Sequence, residues 1–304
     1  MKKIIMIFLV SAYLSTACAS FSGERIFVSI PPVKYFVERI SGGEFEVVSL
    51  LKQGDDPHTF EPRPKQMVDL SRARLFFTIG LDLERSLLSR IIAMNKDLKV
   101  LPLDEGIEKI AMKERDQLSE DHHEDAHHQG HYQQEALSAH TFPDPHIWNS
   151  PILVEQIALE ITRSFVDLFP EKEDRWRENC LVFEKEVRAL HEEIKDLFKD
   201  KKEVPFIVFH PSWGYFARDY GLVQIPVEIE GKEPKPADLK RLMEIAMEKD
   251  VNTIFVSPQF SSRSATILAG QIGADIMVID PLAEDWINNM SQVAHSLARS
   301  IQEE

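Results

Sequence analysis

Eleven histidines stand among the 304 residues, and three of them sit beside prolines. These are His58 in "GDDPHTFEPRP", His146 in "FPDPHIWNSP" and His210, which closes "PFIVFH" before Pro211. Proline stiffens the backbone next to it and keeps it extended, so each imidazole hangs from a restrained segment rather than a helix. Metal coordination tolerates little positional error, which makes such histidines candidate ligands. Asp280, in "VIDPLAEDW", shares the design: a strand end followed by proline. Taken singly, each is also an ordinary loop histidine or strand-end aspartate. Four alike, two in each half of the chain, carry more weight.

The run "EDHHEDAHHQGH" (120–131) offers a different chemistry. His122, His123, His127, His128 and His131, with His140 beyond, lie in an acidic, Gln-rich stretch (113–141) almost without aliphatic residues. Such a segment cannot bury enough apolar surface to order itself. It reads as a mobile accessory that captures or senses metal ions weakly, against the bland reading of a solvated linker; it is not the main site. Two further histidines are set aside. His191, on the exposed side of a helical pattern, and His295, near the C-terminus, read as solvated or locally satisfied.

The elements that must hold the four candidates follow a β-α rhythm. Strands are predicted at 25–30, 45–51, 73–80 and 98–103, and again at 205–210, 223–229, 251–257 and 275–280, with helical patterns such as 32–41 and 82–95 between them. The expected fold class is α/β, parallel sheets covered by helices, in which ligands bind beyond the carboxyl ends of strands. His210 and Asp280 are expected at such ends, and His58 in a loop leaving one. The halves also share text: "PPVKYFVERISG" (31–42) with "HPSWGYFARDYG" (210–221), and "EPRPKQMVDL" (61–70) with "EPKPADLKRL" (233–242). Two lobes of related design explain this, although any two strand–loop–helix units look somewhat alike.

Between the halves, Trp176, Cys180, Phe183, Val187, Leu190, Ile194 and Leu197 recur every three or four residues, one continuous helical stripe. Pro170 and the acids after it suit a helix start. A helix over 171–199 makes a rigid rod of roughly 40 Å that lies across both lobes. The expected organisation is a leader at 1–19, an N-terminal lobe at 20–170, the rod, and a C-terminal lobe at 200–304.

Fifty acidic against 35 basic residues leave a net charge of −15, which argues against nucleic acid as a partner. "MKKIIMIFLVSAYLSTACAS" has two lysines, an apolar run too short to span a bilayer, and small residues, as a secretory signal does. Ala17-Cys18-Ala19 fits a cleavage site, and lipidation of Cys18 is the competing reading. Either way the protein works outside the cytoplasm. Once the leader is gone only Cys180 remains, so no internal disulfide is expected.

On "DPHTFEPRP", "DPHIW", "FHPSWGYFARDYGL" and "IDPLAEDW" the sequence resembles the metal-binding receptors of ABC importers for zinc and manganese, the cluster A-I solute-binding proteins of the zinc-uptake type. The resemblance covers nearly the whole mature chain. It implies two α/β lobes joined by a long helix, a metal cleft between them, a monomer working with a membrane permease, and no small organic substrate. It also implies His58, His146, His210 and Asp280 as ligands. "DPHIWNSP" has Asn149 and Ser150 where relatives usually have Leu-Asp, a departure that touches the surroundings of the ligand or the next helix cap rather than the ligand itself. Three imidazoles and a carboxylate suit Zn²⁺, whereas Mn²⁺ favours oxygen, and its receptors in this family tend to have Glu at the position of His210. A manganese receptor is the alternative, and a secreted zinc hydrolase a more distant one. Four protein ligands leave no position for a catalytic water, and no H-E-x-x-H pair occurs.

Overall fold

The structure, a computed structural model, describes residues 25–112, 143–228, 234–261 and 263–302. The leader 1–19 with Cys18, and the run carrying His122, His123, His127, His128, His131 and His140, lie outside the described residues.

All eight expected strands form. β1 (Arg25–Val28), β2 (Glu46–Ser49), β3 (Leu75–Thr78) and β4 (Lys99–Pro102) make one parallel sheet in the order β2-β1-β3-β4. β5 (Val204–Val208), β6 (Leu222–Pro226), β7 (Thr253–Val256) and β8 (Asp275–Val278) make a second in the order β6-β5-β7-β8. The two orders are the same. Nine α-helices connect and cover them among the described residues: α1 (Pro31–Ser41), α2 (Pro64–Leu70), α3 (Asp82–Met94), α4 (Pro151–Leu168), α5 (Glu173–Phe198), α6 (Gly214–Tyr220), α7 (Pro236–Glu248), α8 (Arg263–Ile272) and α9 (Trp286–Gln302).

The shared text falls on equivalent elements. α1 follows the first strand of its sheet and α6 the first strand of the other, and both stop at a left-handed glycine, Gly42 and Gly221. α2 and α7 each follow a second strand and begin at a proline, Pro64 and Pro236. In both, the side chain three residues past the cap turns back onto the cap N–H: Gln66 onto Arg63 and Asp238 onto Lys235, each at 2.9 Å. That contact satisfies one of the donors a helix start leaves over.

α5 is the expected rod, 26 residues and therefore about 39 Å long. Pro170–Lys172 form a 3₁₀ turn before it rather than its first turn. Its stripe is buried from Trp176 to Ile194, and at the C-terminal end Phe198 is buried while Leu197 is half-exposed. Trp176 meets Phe45 and Phe165, Phe183 meets Phe36, and Phe198 meets Phe216, so one helix touches both halves. The core it enters is continuous from Ile26 to Ala298 and includes Phe206, Val208 and Phe255 of the second sheet. The alternate residues Ile207, Ile254 and Val256 feed a smaller core on that sheet's other face, with Leu242 of α7 and Leu268 of α8. Side chains alternate across a strand, and burial on both faces is why these strands read as unbroken apolar runs.

The halves are also tied by hydrogen bonds. The Trp148 indole donates to Pro281 O at 2.7 Å, and the Trp286 indole donates to Trp148 O at 2.8 Å.

Candidate metal centre

His58 stands in the loop between β2 and α2. Asp56 shapes that loop, its Oδ1 accepting the His58 N–H at 2.9 Å and its Oδ2 accepting the Thr59 hydroxyl at 2.8 Å. His146 follows Pro145 and leads into a 3₁₀ turn, Ile147–Asn149. Ser150 then caps α4, its hydroxyl accepting from Leu153 N–H, while Asn149 donates across to Ser212 O. Of the two residues able to cap, serine does so. His210 lies two residues past β5, and Asp280 two past β8, both at carboxyl ends of strands.

The three imidazoles meet. His58 Nε2 and His146 Nε2 each lie 3.4 Å from His210 Nε2. Tetrahedral donors about 2.05 Å from a zinc ion stand about 3.3 Å apart, so both separations match the edge of that tetrahedron. As the side chains stand, no group of three or more His, Cys, Asp or Glu among the described residues is set to hold an ion. What exists is two touching pairs sharing His210. Asp280 is not in direct contact with them: its Oδ1 accepts from Gln259 Nε2 at 2.6 Å and from Leu282 N–H at 2.9 Å.

Carboxylates hold two of the rings from behind. Asp144 Oδ1 accepts from His146 Nδ1–H at 2.7 Å, and Glu228 Oε2 accepts from His210 Nδ1–H at 3.1 Å. Both acids are buried, 1% and 6% exposed, so these contacts are not diluted by water. A proton committed to Nδ1 leaves the Nε2 lone pair free, and each Nε2 faces the other rings. Asp144 is itself seated by the Tyr215 hydroxyl, which donates to its backbone oxygen at 2.8 Å. Gly214 lets α6 approach: a Cβ there would lie 2.7 Å from Asp144 Oδ2. Phe260 stacks on His210, with ring centroids 4.4 Å apart.

Burial lowers the pKa of His210 despite Glu228 beside it, and the neighbouring His146 pushes the same way. Burial, then the neighbouring His210, likewise lowers that of His58. Neutral rings are the form that binds metal.

The set-aside histidines stand apart. His295 Nδ1 donates to Ser291 O at 2.9 Å. His191 is half-buried rather than solvated, its Nδ1 3.1 Å from the Tyr220 hydroxyl, because α6 packs against that part of the rod. Asp144, Glu228, Gln259 and Phe260 went unsingled in the sequence. Asp144 had a signal, two residues before His146 inside "DPH"; the other three are recruited from turns distant in the chain.

The family model for the periplasmic zinc-uptake complex component A, ZnuA, matches residues 26–300. The chain belongs to this family. It is 27% identical over 269 residues to the high-affinity zinc uptake system protein ZnuA of Bacillus subtilis, covering 87% of this chain and 81% of that one. A crystal structure of ZnuA superposes with a TM-score of 0.81 at 37% identity, over 92% of this chain and 100% of the other. A deletion mutant of ZnuA with zinc bound superposes equally well, TM-score 0.81 at 36% identity, over 93% and 99%. The membership makes this a solute-binding receptor of zinc uptake and does not favour manganese over zinc.

Proposed function

We propose that the chain captures Zn²⁺ outside the cytoplasm with His58, His146, His210 and Asp280 and delivers it to the membrane permease of an ABC importer, catalysing no reaction. The observation that carries the reading is the approach of the His58 and His146 Nε2 atoms to His210 Nε2, each at 3.4 Å, with the ring N–H groups of His146 and His210 turned to buried carboxylates behind. Lone pairs so faced repel one another unless a proton or a cation lies between them, and the lowered pKa values of His58 and His210 disfavour the proton. The carboxylate of Asp280 completes an N₃O set once the cleft adjusts. Zinc bound in the family's deletion-mutant structure supports the choice of ion.

The accessory histidines 122, 123, 127, 128, 131 and 140 are taken as a weaker satellite, because fixing backbone costs about 1–2 kcal/mol for each residue and their stretch has almost no aliphatic residues whose burial would offset it. Export by the leader at 1–19, with cleavage after Ala19, completes the reading, and the receptor acts as a monomer.

The test is zinc titration with elemental analysis, on the mature protein and on a variant lacking 119–140. One tightly held Zn²⁺ per molecule is expected in both, with the weaker extra zinc absent from the variant. No tight site in the variant would refute the assignment of the four residues.

A further inference from the structure

The two oxygens of Asp280 are treated unequally. Oδ1 accepts two short hydrogen bonds, from Gln259 Nε2 at 2.6 Å and Leu282 N–H at 2.9 Å. Oδ2 has one partner among the described residues, Gln53 Nε2 at 3.5 Å, the outer limit of a hydrogen bond. A carboxylate oxygen has about two lone-pair positions. Oδ1 is therefore full, and Oδ2 has capacity to spare.

Gln259 is 7% exposed, and its own Oε1 is buried with no partner among the described residues. An orphaned buried acceptor is unfavourable, and a side chain held for packing alone has no reason to accept it. Turning the amide over would set its oxygen against the carboxylate. The orientation thus answers to Asp280. The next residue, Phe260, stacks on His210, so one turn positions both the carboxylate and an imidazole.

We infer that Gln259 is a positioning residue that confines Asp280 to one free oxygen, Oδ2, and so sets which metal the cleft prefers. The inference rests on the metal-site reading above and names a determinant of its selectivity. Chelation through both oxygens would break two short hydrogen bonds and add a fifth donor. One oxygen with three imidazole nitrogens makes four, the closed set that suits zinc, whereas added oxygen favours manganese. Gln53, bound only loosely, is the group that yields Oδ2.

The test pairs Gln259→Met, which keeps length and removes the donor, with His210→Ala. Zn²⁺ and Mn²⁺ affinities are measured by competition, and the zinc shell of the native protein by X-ray absorption. Gln259→Met should weaken zinc by about tenfold to a hundredfold, as loss of a ligand's partner does. Manganese should hold or strengthen, so the Zn:Mn ratio falls by about the same factor. Native zinc should show a carboxylate bound through one oxygen, a readout that stands even where the variant fails to fold. A two-oxygen carboxylate, or an unchanged Zn:Mn ratio in a folded variant, overturns the inference. Tight zinc surviving His210→Ala overturns the metal-site reading itself, and this one with it; loss of tight zinc there beside an indifferent Gln259→Met overturns this one alone.

Discussion

Glu228→Gln changes one charge and almost no volume at a site 6% exposed. Glu228 Oε2 holds the Nδ1 proton of His210 at 3.1 Å. An ion at Nε2 would stand roughly 7 Å from that oxygen, across the contact, the ring and about 2 Å of Zn–N bond. Charges of −1 and +2 at that distance attract by about 5 kcal/mol at an effective dielectric of 20, a gross figure before desolvation is counted. Losses on removing such partners run from tenfold to a hundredfold, about 1.4–2.7 kcal/mol, and that is the expected fall in zinc affinity. The metal-free protein should respond in the opposite sense. A carboxylate buried beside a neutral ring is a desolvation burden, so its removal leaves the apo thermal midpoint unchanged or raised. Competition with a chromophoric zinc chelator at neutral pH reads the first quantity, and melting with and without zinc reads both. A change below about threefold, or an apo midpoint that drops along with affinity, would refute the argument that Glu228 acts on the ion through His210.

Three further outcomes follow from the same geometry. The folded pKa values of His58 and His210 lie below that of free imidazole, so protons compete for the rings only below about pH 6.5; zinc affinity should stay level from about pH 8 to there and fall beneath it. Affinity that already falls between about pH 8 and 6.5 would contradict rings held neutral by burial. By the same shifts the unfolded chain takes up more protons than the folded one below about pH 6.5, so apo stability is full above that pH and declines as acid is added, which melting curves across the range would check. His210→Glu should move preference from zinc toward manganese, but it sets a second carboxylate against Glu228; the double variant with Glu228→Gln should show the shift more cleanly, and an unchanged metal ratio in it would undercut the argument from ligand softness.

The sequence by itself determined the elements. Eight apolar runs became eight strands, most clearly the inner ones, where burial on both faces of a parallel sheet writes an unbroken apolar signal, and the stripe of α5 became a rod because its period matches a helix. It also marked the three histidines, since proline beside each is a local signal. What the tertiary structure decided was everything that depends on who arrives from elsewhere. Glu228 and Gln259 lie in turns whose text carries no motif, and they matter only because the sheet brings those turns to His210 and Asp280. His191 shows the same dependence: of solvated or locally satisfied, it is the second, because α6 lands there and brings Tyr220 to it. Periodicity and stiffness are properties of neighbouring residues, whereas the hydrogen bonds behind an imidazole and onto one oxygen of a carboxylate are properties of contacts far apart along the chain.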